Sequence, residues 1–254
     1  MIFPKTPSFS LKNKRALVTG AGRGIGMGAA IALSSAGAEV LMVSRTTREL
    51  EIIDNYLRGL GHKCSYKSLD VTDEKAVSKL IKNEDCFDIL VNNAGTNIPS
   101  SLVDTKIEDF DYVMSLNVKS VISLTQTVVK KMISNNIKGS IINVSSQMGH
   151  VGGPDRSVYN MTKFGIEGLT KGMGVELATK NIRVNTVAPT FVETPMVKKF
   201  FKNKKFKQLA LSNIPMGKVA TESDVATAVC FLASDAASMI TGTSIVIDGG
   251  WTAK

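Results

Sequence analysis

The feature that most constrains this chain is a repeated alternation between short apolar, β-branched runs and longer segments of helical spacing. Arg15–Thr19, Glu39–Val43, Phe87–Val91, Ser140–Val144, Arg183–Val187 and Ser244–Ile247 read as strands, with a weaker one over Lys63–Lys67. Near-continuous runs of Val, Ile and Leu are typical of strands buried on both faces. Helical spacing covers Gly24–Ala36, Thr47–Leu60, Glu74–Ile81, Ile107–Ser134, Val158–Ala178 and Ser223–Ala233. Strand, helix and strand repeated along the chain predict an α/β fold: a doubly wound parallel sheet of about seven strands, with helices on both faces. At 254 residues the chain can bury one large core, and neither an internal repeat nor a Gly-, Pro- or Ser-rich linker divides it. A single domain over residues 1–254 is expected, with residues 190–215 inserted as a substrate lid.

Composition removes several classes of function. Apolar residues make up 43% and charged residues 21%, which excludes disordered and collagen-like chains. No apolar run reaches the ~18 to 20 residues of a membrane span, and Met1–Ser10 lacks a signal-like apolar stretch, so a cytoplasmic protein is expected. Cys64, Cys86 and Cys230 are odd in number and widely separated, which predicts free thiols and no metal site. A net charge of +9 points toward an anionic partner. The one dense basic cluster is Lys198, Lys199, Lys202, Lys204, Lys205 and Lys207, interleaved with Phe200, Phe201 and Phe206. It reads as the solvated face of an amphipathic helix, or as a rim that steers anions. With 1 Trp, 4 Tyr and no recognition-module motif, nucleic acid is not an expected partner.

In Thr19-Gly20-Ala21-Gly22-Arg23-Gly24-Ile25-Gly26, glycines follow the first strand and open the first helix. Glycine permits a sharp turn and close approach to a ligand, and a helix N-terminus offers free N–H groups to a pyrophosphate. A tight turn without a ligand is the competing explanation, but its place in the first strand-to-helix turn favours dinucleotide binding. Tyr159 and Lys163 are four residues apart in a helical segment and so share a face. An ammonium beside a phenol is expected to lower the phenol pKa from near ~10 and make it a usable acid or base. Ser146 follows a strand at its carboxyl end, where doubly wound sheets hold ligands.

These residues, together with Asp70-Val71, Asn92-Asn93-Ala94-Gly95, Asn117, Ser145-Ser146, Tyr159-Asn160-Met161-Thr162-Lys163 and Asn185-Thr186-Val187-Ala188-Pro189, give the chain a resemblance to the short-chain dehydrogenase/reductase family. The match runs from Lys14 to Asp248-Gly249-Gly250-Trp251. It implies a single-domain Rossmann-like fold and a homotetramer. It also implies catalytic roles: Tyr159 exchanges a proton with the substrate oxygen, Ser146 hydrogen-bonds that oxygen, Lys163 also holds the nicotinamide ribose, and Asn117 positions a relay water. Cofactor contacts implied are Gly20, Gly24, Ile25 and Gly26 at the turn, and Asp70 and Val71 at the adenine. Asn92, Ala94 and Gly95 are placed beside the ribose, and Pro189, Val192 and Thr194 near the nicotinamide. A turn bonding its own backbone is the competing reading of Asn92-Asn93. Thr190 stands where the family usually has Gly after the Pro, which puts the local turn and the lid hinge in question.

Charge argues the choice of cofactor. NAD enzymes place an acid at the tip of the second strand, whereas this strand ends in Ser44-Arg45. Arg45 and Arg23 can clamp a 2′-phosphate, which favours NADP(H) over NAD(H). Asn97, Gln147, His150, Val151, Phe191 and Met196 are the candidate pocket residues. Their polar members suggest a small sugar, polyol or keto acid. The lid phenylalanines would suit an acyl chain, making 3-oxoacyl-[acyl-carrier-protein] reductase the alternative, with Lys130 and Lys131 as contacts to an acidic carrier protein. A dinucleotide-binding regulator without catalysis would lack the Ser, Tyr or Lys, and all three are present.

Overall fold

The computed structural model of the protein describes residues 6–253, with the side chains of Met196 and Lys199 outside the description. Met1–Lys5, the start of the segment read for a leader, also lie outside the described residues. The strands are β1 (Arg15–Thr19), β2 (Glu39–Ser44), β3 (Cys64–Ser68), β4 (Ile89–Asn92), β5 (Ser140–Val144), β6 (Arg183–Pro189) and β7 (Ser244–Ile247). They form one sheet in the order β3-β2-β1-β4-β5-β6-β7, every pair parallel. The chain winds outward from β1 to β3, returns to the middle at β4, and winds the other way to β7. That reversal opens a crevice at the carboxyl ends of β1 and β4.

The helices are α1 (Gly24–Ser35), α2 (Thr47–Gly59), α3 (Glu74–Asn83), α4 (Ile107–Met114), α5 (Ser120–Ser134), α6 (Ser157–Ala178), α7 (Pro195–Phe200), α8 (Lys204–Ser212) and α9 (Glu222–Ala233). The two-residue period of the strands sorts them into layers. Val18, Val40, Met42, Val91 and Ile142 face α1, α2 and α9 through Ala29, Leu33, Leu50, Leu57, Val225 and Val229. Leu17, Leu41, Leu90, Ile141 and Val184 point the other way, onto Val77, Ile81, Leu124, Val128 and Met132 of α3 and α5. No described helix is long and apolar enough to cross a membrane, and Cys64, Cys86 and Cys230 are free thiols.

Three expectations need correction. The helix predicted over Ile107–Ser134 is interrupted by a π-helical turn at Ser115–Lys119 that carries Asn117. Hydrophobic spacing continues through such a turn, which hides it from the sequence. The basic segment is two helices, because Asn203 accepts a bond from the Phe206 amide at 3.1 Å and caps α8. Lys131 is committed elsewhere: its ammonium donates to the Ile81 carbonyl at 2.8 Å and to that of Glu84, closing the carbonyl end of α3. Its ammonium is thus engaged within the fold, while the neighbouring Lys130 is exposed.

Candidate active site

The crevice is built around the first turn. Gly20 and Gly24 have φ of +63° and +60°, a backbone that side chains disfavour. A Cβ on Gly22 would stand 2.7 Å from Glu49 Oε2 and 2.9 Å from Ser44 Oγ, so a side chain there would push both aside. Arg23 makes no side-chain cap on α1, and this helix, alone among those without one, starts directly after the glycine turn at the carboxyl end of β1. The first N–H groups of α1 are thus left for a ligand.

Asn93 fixes this turn, a part the sequence reading did not give it. Its Nδ2 donates to the carbonyls of Thr19 and Gly20 at 2.9 and 3.1 Å. The Thr19 hydroxyl accepts from the amides of Asn93 and Ala94 at 3.0 and 3.1 Å. The ends of β1 and β4 are thereby locked together. The Asn92 side chain, expected beside the ribose, is bonded within the fold. Buried at the end of β4, its Nδ2 donates to Thr125 Oγ1 at 2.9 Å and Asn143 Oδ1 at 2.8 Å, and Asn143 donates to Thr170 Oγ1 at 2.8 Å. This polar ladder ties α5 and α6 to the ends of β4 and β5.

At the adenosine end, Asp70 Oδ1 accepts from the amide and hydroxyl of Thr72 at 2.9 and 2.7 Å, which with Arg45 holds its carboxyl below the usual carboxylate range despite burial. Val71 is buried behind it. Both arginines are exposed and face acids: Arg23 pairs with Glu49 at 3.3 Å, and Arg45 lies 3.9 Å from Asp70 and 3.4 Å from the Tyr112 hydroxyl. The strand tip carries no acid, as expected, but Glu49 in the first turn of α2 reaches the same place. Reading the tip alone missed it; one helical turn further is within reach of the pocket. Ser44 Oγ is buried there without a partner.

The reacting groups come from the β5 end and α6. Ser146 is buried and accepts from the Met148 amide at 3.1 Å. Gln147 is buried beside it, with Oε1 3.4 Å from the Ser146 hydroxyl. Lys163 is buried, donates to the Val144 carbonyl at 2.8 Å, and lies 5.5 Å from the centre of the Tyr159 ring. The phenol is therefore not lowered as expected. Burial pushes Tyr159 up, opposed by the Ser146 hydroxyl and the Arg156 guanidinium, and burial pushes Lys163 down to about 8 against the field of Glu167. Asn117, in its π-helical turn, clasps the backbone of Thr96, accepting from its amide and donating to its carbonyl, both at 2.8 Å. It also donates to Thr162 Oγ1 at 3.2 Å, so the turn locks the loop after β4 to α6.

The opposite wall comes from the segment after β6. Pro189 ends that strand, Val192 is buried, and the Thr194 methyl would lie 3.2 Å from a Cβ on Gly24, placing Thr194 over the glycine turn. Thr190 is not among the residues of positive φ, so the turn needs no glycine. Of the candidate pocket residues, Asn97 has a buried Oδ1 without a partner and Val151 lies half-buried, its carbonyl bonded by Asn160. His150 turns away, its Nε2 3.1 Å from Ser244 Oγ and 3.4 Å from Glu167 Oε1. Phe191 packs into an aromatic cluster of the segment after β6, 5.5 Å from Phe201, 5.7 Å from Phe206 and 6.0 Å from Trp251 between ring centres. The phenylalanines proposed for an acyl chain are thus packed against one another. The side chain of Met196 lies outside the described residues.

The chain is similar to known dehydrogenases and reductases. The family model described as "Enoyl-(Acyl carrier protein) reductase" matches residues 20–252. The chain is 41% identical over 244 residues to the 3-oxoacyl-[acyl-carrier-protein] reductase of Thermotoga maritima, covering 94% of this chain and 98% of that one. It is 37% identical to the D-erythrulose reductase of Gallus gallus, covering 96% and 98%. A crystal structure with bound NADP, described as a 2-deoxy-d-gluconate 3-dehydrogenase from Agrobacterium tumefaciens, superposes with a TM-score of 0.90 at 34% identity, covering 98% of this chain and all of that one.

Proposed function

Because the chain belongs to the short-chain dehydrogenase/reductase family, a family of oxidoreductases, we propose that it interconverts a secondary alcohol and a ketone on a small polar substrate with NADP(H). The observation that carries this reading is the convergence of Ser146, Tyr159 and Lys163 on one side of the crevice, opposite the glycine turn. The nicotinamide supplies or accepts the hydride. Tyr159 gives its hydroxyl proton to the carbonyl oxygen during reduction, and Ser146 donates a hydrogen bond to the same oxygen. The Lys163 ammonium stabilises the charge left on the phenol and holds the ribose. Asn117 keeps the loop after β4 and α6 at a fixed separation, so the distances survive turnover.

The residues fit the dinucleotide. The uncapped start of α1 takes the pyrophosphate, Asp70 the adenine, and the orphaned Ser44 hydroxyl a ribose phosphate oxygen. Arg45 and Arg23 supply the charge for a 2′-phosphate, Arg23 after leaving Glu49. Ser44→Asp with Arg45→Ala is expected to shift the ratio of kcat/KM toward NAD(H) at least about tenfold, about 1.4 kcal/mol. A wild type that already prefers NAD(H) would sink the charge argument.

Asn97 and Gln147 favour a hydroxylated substrate, in keeping with the D-erythrulose reductase and deoxygluconate dehydrogenase relatives. The Thermotoga relative favours the acyl-carrier reading, against which stand the occupied Lys131 and the closed phenylalanine cluster. A turnover screen with NADPH across D-erythrulose, keto acids and a 3-oxoacyl thioester decides between them, and turnover confined to the thioester would overturn the polar-substrate reading. Exposed Met161, Phe164 and Val175 on α6 and Ile122 on α5 offer apolar faces for a homotetramer. We further place the cytoplasm as its location and residues 190–215 as its lid.

A further inference from the structure

α6 presents a third chemically equipped position on the face that carries Tyr159 and Lys163. Glu167 lies one turn beyond Lys163 and is 7% exposed. Its Oε1 accepts from Thr186 Oγ1 at 3.0 Å and Ser244 Oγ at 3.3 Å, and its Oε2 accepts from Thr186 Oγ1 at 2.9 Å. His150 Nε2 stands 3.4 Å from Oε1. A Cβ on Gly149 would meet Glu167 Cγ at 3.0 Å and Ser145 Oγ at 2.8 Å, so the loop after Ser146 closes over the carboxylate. The reaction described above makes no use of this group.

A structural pin between β6 and β7 would need only acceptors for two hydroxyls, which an amide provides. A carboxylate is a costly way to provide them, because a buried charge must be repaid by an opposite one. Lys163, one turn away on the same helix face, is buried as well; its ammonium bonds the Val144 carbonyl and makes no direct ion pair with Glu167, so the two charges act on each other through the low-dielectric interior rather than by contact. We propose that Glu167 is a positioning residue, whose carboxylate, oriented by Thr186, Ser244 and His150, is the counter-charge that keeps the Lys163 ammonium protonated beside Tyr159. The inference rests on the assignment of Lys163 to the reaction.

The sign follows from the environment. Burial disfavours the ammonium and the Glu167 field opposes it. The charged and polar groups around the pair are Tyr159 and Lys163 on α6, Arg156 at its start, His150 after the β5 turn, Thr186 on β6 and Ser244 on β7. With the carboxylate neutralised, burial acts alone and the ammonium loses its proton at lower pH. The effect must therefore appear at the alkaline end of the activity profile.

The experiment is an NMR titration of protein labelled at the lysine ε-carbon, with the Lys163 signal identified by its loss in Lys163→Met. In Glu167→Gln the midpoint is expected to fall by about half a pH unit or more, while Glu167→Asp, which keeps the charge, stays near wild type. Should Glu167→Gln fail to fold, His150→Lys supplies the same test from a half-exposed position, by setting a fixed cation against the carboxylate. With saturating NADPH and D-erythrulose as the probe, the alkaline limb of kcat/KM shifts in the same direction. Midpoints that stay at the wild-type value in both Glu167→Gln and His150→Lys would overturn the proposal. So would a uniform drop in turnover with an unmoved limb, which marks a structural pin. A wild type inactive on D-erythrulose tells against the substrate class, and the lysine titration stands apart from it.

Discussion

Tyr159→Phe is expected to lower turnover by about 10²- to 10⁴-fold, the range a positioned general acid contributes, and to leave the melting temperature unchanged. The ring is half-buried and packs beneath the Lys163 ammonium, contacts that Phe preserves. Only the hydroxyl is lost, together with its approach to Ser146. Because burial raises the phenol, Tyr159 holds its proton through the neutral range and is poised to give it to a developing alkoxide. In the opposite direction it must accept a proton, and the Ser146 hydroxyl and the Arg156 guanidinium are the groups that favour the phenolate against burial. The loss is thus expected in both directions, as kcat falling with little change in the dissociation constant for NADPH. If Tyr159→Phe retained more than about a tenth of wild-type turnover, the proton would come from elsewhere and the assignment would fail.

The fold was legible because two periods in the sequence coincide with two physical constraints. Runs such as Ala16-Leu17-Val18 and Ile89-Leu90-Val91 are apolar at every position, which only a strand covered on both sides tolerates. The parity of those runs then assigns each helix to a layer. Tyr159 and Lys163 were legible for the same reason, since spacing of four on one helix is short-range information. What stayed hidden depends on contacts far apart in the chain. Asn92 pairs with Asn143 only because β4 and β5 register them side by side, and nothing local distinguishes Asn92 from Asn93. Glu49 reaches Arg23 across 26 positions, and Glu167 finds Thr186 and Ser244 on two different strands. The π-helical turn at Asn117 leaves the apolar pattern intact, so only the backbone reveals it. The pKa direction of Tyr159 differs from the reading because spacing shows the neighbouring lysine, whereas the burial that raises the phenol depends on the fold around it.

Gly26→Ala is expected to damage the protein at its most crowded point. The added methyl would fall on Asn93 Nδ2 and the Gly20 carbonyl oxygen, with the Gly20 carbonyl carbon at 2.8 Å. Neither neighbour has room to retreat. Gly20 is fixed by its positive φ, and the Asn93 amide is held by the carbonyls of Thr19 and Gly20. Overpacking of this kind costs about 1 to 3 kcal/mol, which for a chain of this size lowers the melting temperature by about 2 to 4 °C per kcal/mol. The same methyl pushes apart the turn and the first residues of α1, so NADPH is expected to bind at least about tenfold more weakly, about 1.4 kcal/mol. Asn93→Ala removes one of the two obstacles, and in the double variant the destabilisations should sum to more than is observed, as contacting residues do. Thermal unfolding and fluorescence titration with NADPH measure both effects. A Gly26→Ala protein that melts and binds like wild type would mean that the turn is looser than its contacts imply and that the dinucleotide lies elsewhere.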